Sequence, residues 1–313
     1  MVKNQTGISF VLHSNSKGKT MKKKTFTWDK FGYIIFKICN IVFMIMFCII
    51  TLYPVLNTVA LSFNDGKDAV EGGVYLFPRV FTFENYRYVL SRQGIVTAVI
   101  VTFARTIIGT CLSLLANALL AFIVSRKKFL FKSQLSLFWI LTMYISGGMV
   151  PTLLLYKKLG LTGTFAVYIV PGLIGAFNML VIRTFMRGIP DSLEESARLD
   201  GAGYFTIFWR IISPLCVPLY AVIALFVGVG HWYSWFDVML YNRMNEEYTT
   251  LQYEILKYLS AVQFQSGNAA RDWHEPLVLR AALTVLTMFP VIVIYPLLQR
   301  YFVTGLTIGG VKE

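Results

Sequence analysis

The apolar residues of this chain are concentrated in blocks of roughly 20, the length that an α-helix needs to cross about 30 Å of hydrocarbon. Charged residues make up only 14% of the 313 residues, whereas soluble domains contain about 25%. The blocks predict an all-α membrane protein with six transmembrane helices, at 34–62, 95–124, 134–156, 165–186, 212–232 and 277–298.

The distribution of charge predicts how these helices are oriented. The net charge is +13, and the excess of Lys and Arg lies in the N-terminal tail and in the loops between spans two and three and spans four and five. By the positive-inside rule, both termini are predicted to be cytoplasmic. Because the basic residues lie between apolar blocks, they do not form the striped face of a nucleic-acid binder. We expect residues 1–30 to be a disordered basic tail and residues 31–313 to form one six-helix domain.

The loop between spans four and five, residues 188–214, predicts a short helix, a glycine corner and a second helix. Ser192, followed three residues later by Glu195, has the pattern of a capping box, which favours a helix start at this point. Gly201 is expected to end that helix, and Tyr204 to begin the next. This arrangement would present a compact element on the cytoplasmic face.

The predicted short helix is suited to a close contact with another protein. Its small side chains at Ser196 and Ala197 would let a partner approach the backbone. Charged side chains would surround that contact: Glu194, Glu195, Arg198 and Asp200. The alternative is a solvated connector that touches nothing, although a helix cap alone requires neither the glycine corner nor the residues that follow it.

Six residues of this loop occur at a defined spacing: Glu195, Ser196, Ala197, Gly201, Ile211 and Pro214. The spacing resembles the EAA loop of binding-protein-dependent ABC import permeases. That loop reads Glu-Ala-Ala, three residues, Gly, nine residues, Ile, one residue, Leu-Pro. Two positions depart from it, Ser196 in place of Ala and Ser213 in place of Leu.

Segments within and outside the loop narrow the resemblance. Within it lies Ile189 to Ala202, and outside it lie 81–86, 121–126, 146–151, 158–161 and 299–305. These segments resemble the carbohydrate-uptake permeases, in particular the smaller subunit of the pair in the branch linked to complex oligosaccharides and to lipoprotein-type uptake. The resemblance extends over nearly the whole chain from about residue 30.

The resemblance implies the type I permease fold of ABC importers and a multi-pass location in the bacterial plasma (inner) membrane. The expected partners are a second, homologous permease forming a heterodimer, a cytoplasmic ATPase dimer and an extracytoplasmic solute-binding protein. In that assembly Glu195 would make a charged contact with the ATPase and Gly201 would supply the turn. The sequence contains no GxxxxGK[ST] motif. ATP and Mg²⁺ are therefore expected on the partner, and this subunit is expected to bind no cofactor or metal and to be no enzyme.

Six residues in or near the predicted spans are candidates for the translocation path: Arg105, Asn178, Tyr220, His231, Trp232 and Trp235. An Arg in lipid costs about 2.5–3.5 kcal/mol, so Arg105 must face protein or water. It would contact the solute, or else pair with a backbone carbonyl or an acid of the partner subunit. Asn178 lies on a face of small residues that would line the path or pack helices. The aromatic residues would stack on sugar rings or anchor the chain in the headgroup region.

The function predicted on these grounds is import of a sugar, specifically an oligosaccharide, by an ATP-driven ABC importer. An importer of peptides, amino acids or phosphate shares the EAA spacing and is the nearest alternative. A membrane-embedded enzyme would require intramembrane carboxylates or a His/Asp constellation, which the predicted spans lack. An ATP-independent carrier would normally show inverted repeats or intramembrane ion sites.

Overall fold

The computed structural model describes residues 28–92, 94–265 and 276–309. In those ranges every regular element is a helix, and β-structure is limited to one isolated bridge between Asn64 and Phe81. The chain divides into two compact units, Met1–Leu52 and Tyr53–Glu313. This all-helical architecture confirms the fold class predicted from the apolar blocks.

The first unit contains most of helix α1, Trp28–Ser62, which continues past Leu52 into the second unit. The side chains at positions 32 to 52 are exposed and predominantly apolar. Such a surface is stable where lipid is the solvent. Of the predicted tail, residues 1–27 lie outside the described residues, and the last three residues are the start of α1.

Two short helices follow in the first predicted outer loop, α2 (Gly66–Val70) and α3 (Glu84–Ser91). The buried Asn85 fastens α3 to the end of α1, because its Nδ2 donates to the carbonyl oxygens of Ser62 at 3.0 Å and Asn64 at 2.8 Å. The short helix α3 is thereby held against α1.

The second predicted span is one continuous helix, whereas the third is bent. Helix α4, Ile95–Ser125, is a single unbroken span, as predicted. The third predicted span consists of α5 (Lys132–Tyr144) and α6 (Met149–Lys158), which meet at an angle of 117°. Gly148 lies in the bend with φ +84°, a conformation that glycine adopts without a steric penalty.

The fourth span was predicted as one helix over 165–186, and this is wrong. The segment contains a 3₁₀ helix, Phe165–Tyr168, and then irregular backbone before α7, Ala176–Arg187. Pro171 and Gly172 lie in the interruption, where proline removes a backbone donor and glycine weakens helix formation. Hydropathy detects the apolar segment but not this interruption.

Asn117 of α4 satisfies the irregular backbone of the fourth span. It is fully buried, and its Nδ2 donates to the carbonyl oxygen of Leu173 at 3.2 Å while its Oδ1 accepts from the amide of Gly175 at 3.1 Å. Non-helical backbone at membrane depth persists only where protein or water satisfies it. The role of Asn117 could not be inferred from its position in an apolar block.

We expect Asn117→Ala to lower the free energy of unfolding by about 2 kcal/mol or more, because a buried polar group left unpaired costs about 1–3 kcal/mol. Thermal unfolding of the purified protein would measure this change. Asn178→Ala is the matched control, since Asn178 is half-buried and its side chain makes no hydrogen bond among the described residues. Equal melting temperatures for the two variants would contradict this role.

The segment after α7 contains the predicted loop and the fifth span. Helix α8, Asp191–Leu199, is followed by α9 (Tyr204–Thr206), a π-helical segment (Ile207–Ile212) and α10 (Ser213–Leu215). Helix α11, Val217–Tyr233, then turns by 80° relative to the helices before it. Prolines stand on both sides of this bend, at positions 214 and 218.

The remaining helices complete the second unit: α12 (Phe236–Tyr241), a 3₁₀ helix (Glu246–Tyr248), α13 (Leu251–Gln265) and α14 (Pro276–Gly309). By length and composition, α1, α4 and α14 would each span a membrane, and the two bent pairs raise the count to five in the described part of the chain. Five of the six predicted spans are thus represented, and the interrupted fourth is the exception.

The largest hydrophobic cluster lies between α4, α7 and the α8–α11 segment. It includes Phe122, Met179, Ile182, Ala197 and Phe208, each at most 8% exposed. Ala197 belongs to α8, so the cluster fixes one face of this helix against the spans. The predicted cytoplasmic loop is therefore rigidly supported rather than being a free connector.

Candidate functional site

Helix α8 begins without the predicted capping box. Its N-cap is Pro190, and no side chain of the cap accepts a hydrogen bond. The helix starts at Asp191, so Ser192 is already helical and cannot adopt the extended backbone of an N-cap. Asp191 and Glu194 instead place negative charge in the first turn, where the helix dipole favours it.

The C-terminal end of α8 has the geometry that the sequence predicts. Gly201 has φ +80°, and its amide donates to the carbonyl oxygen of Arg198 at 3.0 Å. The amide of Ala202 donates to the carbonyl oxygen of Ala197 at 2.9 Å. These two hydrogen bonds form a Schellman motif, which requires a left-handed residue at the position of Gly201.

The inner face of α8 is held by a charged cluster. Glu194 is 13% exposed, and its carboxylate accepts hydrogen bonds from two arginines. One is Arg126, in the loop after α4, and the other is Arg198 of α8, at 2.5 Å. Arg198 also lies over the ring of Tyr204, 4.3 Å from its centroid. Both side chains thus make contacts within the subunit, and their place at the rim of a partner contact stays a prediction.

A second ion pair joins the same two segments at the surface. Lys127 donates to the carboxylate of Asp191, and both side chains are well exposed. The hydrogen bond from Lys127 lowers the pKa of Asp191 below its usual range, and the same contact raises the pKa of Lys127. A carboxylate whose pKa is lowered in the folded state stabilises that state at pH values above the ordinary pKa of Asp. This contribution is lost as the pH falls through the lowered pKa. The pair is therefore formed throughout the neutral range.

In the part of the chain that the structure describes, the outer face of α8 forms no ion pair. Glu195, Ser196 and Leu199 are exposed on adjacent turns, and Leu199 is 89% exposed. Beyond the corner, Phe205 and Trp209 are also exposed and stack with their ring centroids 6.4 Å apart. We call these five residues the outer patch. Leu199, Phe205 and Trp209 were not identified from the sequence. Apolar residues at helix positions expected to be polar nevertheless indicate a surface that contacts a partner.

The remaining loop residues take supporting positions. Ile211, in the π-helical segment, packs against the large hydrophobic cluster. Pro214 lies within the first residues of α10 and is exposed. Asp200 is the C-cap of α8, with its amide donating to the carbonyl oxygens of Arg198 and Ser196. The motif therefore divides into residues that shape the loop and residues that face outward.

A second candidate site surrounds Arg105. This side chain is only 2% exposed and forms an ion pair with Asp237 of α12, in addition to lying 4.4 Å from the ring centroid of Tyr168. Asp237 Oδ1 also accepts from Ser234 Oγ at 2.8 Å. The partner of Arg105 is therefore an acid of the same chain, not the carbonyl or partner-subunit acid that the sequence suggested.

The pair lies beside a cavity of about 350 Å³ between α4, the interrupted fourth span and the end of α11. Polar and aromatic side chains contribute to its lining: Arg105, Tyr156, Tyr168, His231, Ser234, Asp237 and Tyr241. His231 packs directly on Gly109, where an added Cβ would come within 2.6 Å of Nε2. The structure thus brings Arg105 and His231 together, as residues of one cavity.

The other four candidates lie outside the lining of this cavity. Trp232 is buried, and its Nε1 donates to the carbonyl oxygen of Thr287 at 2.9 Å, so it joins α11 to α14. Tyr220 accepts from Ser213 Oγ at 3.2 Å. Asn178 lies beside Gly175, and Trp235 packs edge-on against its neighbour. Trp232 is therefore a packing residue and not the exposed aromatic expected at the membrane boundary.

The described residues contain no group of three His, Cys, Asp or Glu side chains placed to hold a metal ion. The side chains present at the two sites support recognition by charge, hydrogen bonding and stacking. The first offers a surface for a protein partner, and the second a polar cavity in an apolar setting.

Comparison with known proteins identifies the family of the chain. A scan against protein-family models finds no match. The chain is 33% identical over 273 residues to the polygalacturonan/rhamnogalacturonan transport system permease protein YtcP of Bacillus subtilis, covering 86% of this chain and 96% of that protein. It is also 33% identical over 283 residues to protein LplC of the same organism, covering 89% and 95%.

A solved structure agrees with these relatives. A bacterial ABC transporter involved in the import of the acidic polysaccharide alginate contains a chain that superposes with a TM-score of 0.80 and 26% identity. The match covers 88% of this chain and 99% of that one. Together with the EAA spacing and the helical architecture, these similarities establish that the chain belongs to the family of permease subunits of carbohydrate ABC importers.

Proposed function

We propose that this subunit imports an oligosaccharide across the bacterial plasma membrane by coupling its α8 loop to a cytoplasmic ATPase. It would act as a heterodimer with a second permease and receive the sugar from an extracytoplasmic binding protein. The observation that carries the proposal is the division of α8 into a fixed inner face and a free outer patch. Such a division is what a docking helix requires, because the surface that meets the partner must be available while its support is rigid.

The inner face would transmit force. Glu194 joins α8 to Arg126 in the loop after α4, and Ala197 anchors it in the cluster formed by α4 and α7. A displacement of α8 by the ATPase would therefore move the ends of several spans together. Because packed interfaces switch between discrete arrangements, this coupling supports alternating access.

The outer patch would form the contact itself. Glu195 offers a charge, Ser196 allows a close approach, and Leu199 provides an apolar side chain that is 89% exposed. The stacked rings of Phe205 and Trp209 extend the apolar area. Aromatic anchors with a charged rim are typical of protein interfaces.

We expect Glu195→Lys to weaken binding of the ATPase by about tenfold or more, since reversing a charge in an interface costs several kcal/mol. Co-purification of the ATPase with the permease pair and sugar-stimulated ATP hydrolysis would measure the effect. Glu247→Lys makes the same charge reversal at an exposed position in the predicted outer loop and serves as the control. ATPase binding that is equal in both variants would contradict the docking assignment.

The cavity beside Arg105 is proposed to lie on the sugar path. Its lining includes an ion pair and three tyrosines, the kinds of side chain that hydrogen-bond to sugar hydroxyls and stack on sugar rings. A site of this kind suits a molecule that carries many hydroxyl groups. An importer of peptides, amino acids or phosphate would use the same α8 loop, so transport of labelled oligosaccharides into proteoliposomes separates these alternatives.

A further inference from the structure

A second cavity lies on the predicted cytoplasmic side and has a different chemistry from the one beside Arg105. Its volume is about 300 Å³, and it is formed where α4, α5, α7 and α8 begin or end. Four of its seven lining residues are basic and one is acidic: Ser125, Arg126, Lys127, Lys132, Met186, Arg187 and Asp191. We call this space the basic cavity.

The charge of the basic cavity is only partly compensated. Arg126 pairs with Glu194 and Lys127 pairs with Asp191. Among the described residues, Lys132 and Arg187 form no ion pair, and Lys132 Nζ donates to the carbonyl oxygen of Lys127 at 3.1 Å. Two cationic groups therefore line a confined space with no carboxylate partner, and an anionic ligand would remove this imbalance.

The position of the basic cavity points to the source of the anion. Helix α4 ends at Ser125, α5 begins at Lys132 and α7 ends at Arg187, so the cavity lies where the spans leave the hydrocarbon. Leu130 and Phe131, in the connection between α4 and α5, are 85% and 63% exposed. Apolar side chains next to basic ones are typical of segments that insert at the headgroup level of a membrane.

We propose that the basic cavity binds the phosphate group of an anionic phospholipid of the cytoplasmic leaflet. Lys132 and Arg187 supply the contacts, while Leu130 and Phe131 lie among the acyl chains. Basic pockets between transmembrane helices on this side of a membrane are known to accept such headgroups. The inference goes beyond the proposed transport function, since it concerns a lipid ligand and not the sugar.

Occupancy of this site would act on α8. The cavity is lined by the same Arg126 and Lys127 that hold Glu194 and Asp191. A phosphate beside Lys132 and Arg187 reduces the repulsion between these cations and the two paired ones. The loop after α4 is thereby held more firmly against α8, which makes the lipid a positive effector of coupling.

The test uses the complete importer, purified in detergent and titrated with phosphatidylglycerol, with bound lipid counted by native mass spectrometry. Lys132→Gln and Arg187→Gln are each expected to weaken lipid binding about fivefold, and the double variant by about 25-fold, the factor expected for loss of basic residues near an anionic surface. Arg187→Lys should retain most of the affinity. Lys128→Gln, an exposed residue of the same loop outside the cavity lining, is the matched control and should bind as the unaltered protein does.

Two further measurements decide the nature of the ligand. Phosphatidylcholine, which carries no net charge, should bind no better to the unaltered protein than to the double variant. Inorganic phosphate at millimolar concentration should not displace phosphatidylglycerol. Displacement by inorganic phosphate would overturn the lipid assignment in favour of a soluble anion, and equal lipid binding by the double variant and Lys128→Gln would overturn the site itself.

Discussion

Sugar uptake is expected to fall below detection when Gly201 is replaced by aspartate, while the protein still inserts into the membrane. Gly201 has φ +80°, and a side chain in this conformation costs roughly 1–2 kcal/mol. Apart from the glycine itself and its two chain neighbours, no atom of the described residues lies within 4 Å of the position that a Cβ would occupy, so the cost is one of backbone conformation and not of a clash. The strain would be relieved by unwinding the Schellman motif, which displaces the outer patch from its position. Uptake of labelled oligosaccharide by cells, with immunoblots of the membrane fraction, measures both parts of the result.

Two other substitutions separate this explanation from a general intolerance of the loop. Gly203 has φ −73° and an open surrounding, so Gly203→Asp makes the same chemical change without strain and should retain uptake. Gly201→Asn should retain more activity than Gly201→Asp, because asparagine tolerates the left-handed region better than most residues. Uptake that is equally lost at both glycines would rule out the conformational explanation.

Asp237→Ala is expected to lower the free energy of unfolding by about 3–5 kcal/mol, the cost of leaving one partner of a buried ion pair alone. The side chain of Arg105 is 2% exposed and depends on this carboxylate, since its Nε has no hydrogen-bond partner among the described residues. The melting temperature of the purified protein would measure the loss. Glu71→Ala is the control, because this exposed side chain lies 3.5 Å from the partly exposed Arg79, and exposed pairs contribute little.

The double variant Arg105→Met/Asp237→Leu separates structure from transport. Apolar residues of similar size often replace a buried ion pair without loss of stability, so the melting temperature should recover most of the difference. If the pair also contacts the sugar, uptake should remain low although the protein is stable. Full uptake by a stable double variant would remove Arg105 and Asp237 from the proposed path.

The features that could be predicted from the sequence depend on residues that lie close together in the chain. The apolar blocks and the EAA spacing are local patterns, and they correctly predicted the spans α1, α4 and α14 and the corner at Gly201. The start of α8 also depends on nearby residues, but the capping box predicted at Ser192 and Glu195 was wrong. Pro190 fixes the backbone two residues ahead of Ser192, and the favourable first-turn charges made a side-chain cap unnecessary.

Contacts between residues that are far apart in the chain could not be predicted from local sequence patterns. Arg105 and Asp237 are 132 positions apart, and their contact depends on how α12 folds back after α11. Asn117 stabilises an interruption in a different span, so nothing near it in the sequence reveals its role. Glu194 lies on the inner face of α8 and its neighbour Glu195 on the outer face. Which face points inward is determined only by the packing of α7 and the α8–α11 segment.

The π-helical segment Ile207–Ile212 gives a physical meaning to the spacing of the loop. A π turn accommodates one residue more than an α turn, and each residue of an α-helix corresponds to a rotation of about 100°. Removing one residue between Gly201 and Pro214 would convert the segment to a regular helix. Because that residue is the extra one that the π turn takes up, α8 would keep its rotation about the axis of the following helix. Removing a second residue would rotate α8 by about 100° and displace the outer patch from its position. The π-helical segment therefore makes the azimuth of the docking surface tolerant of the loss of one residue but not of two.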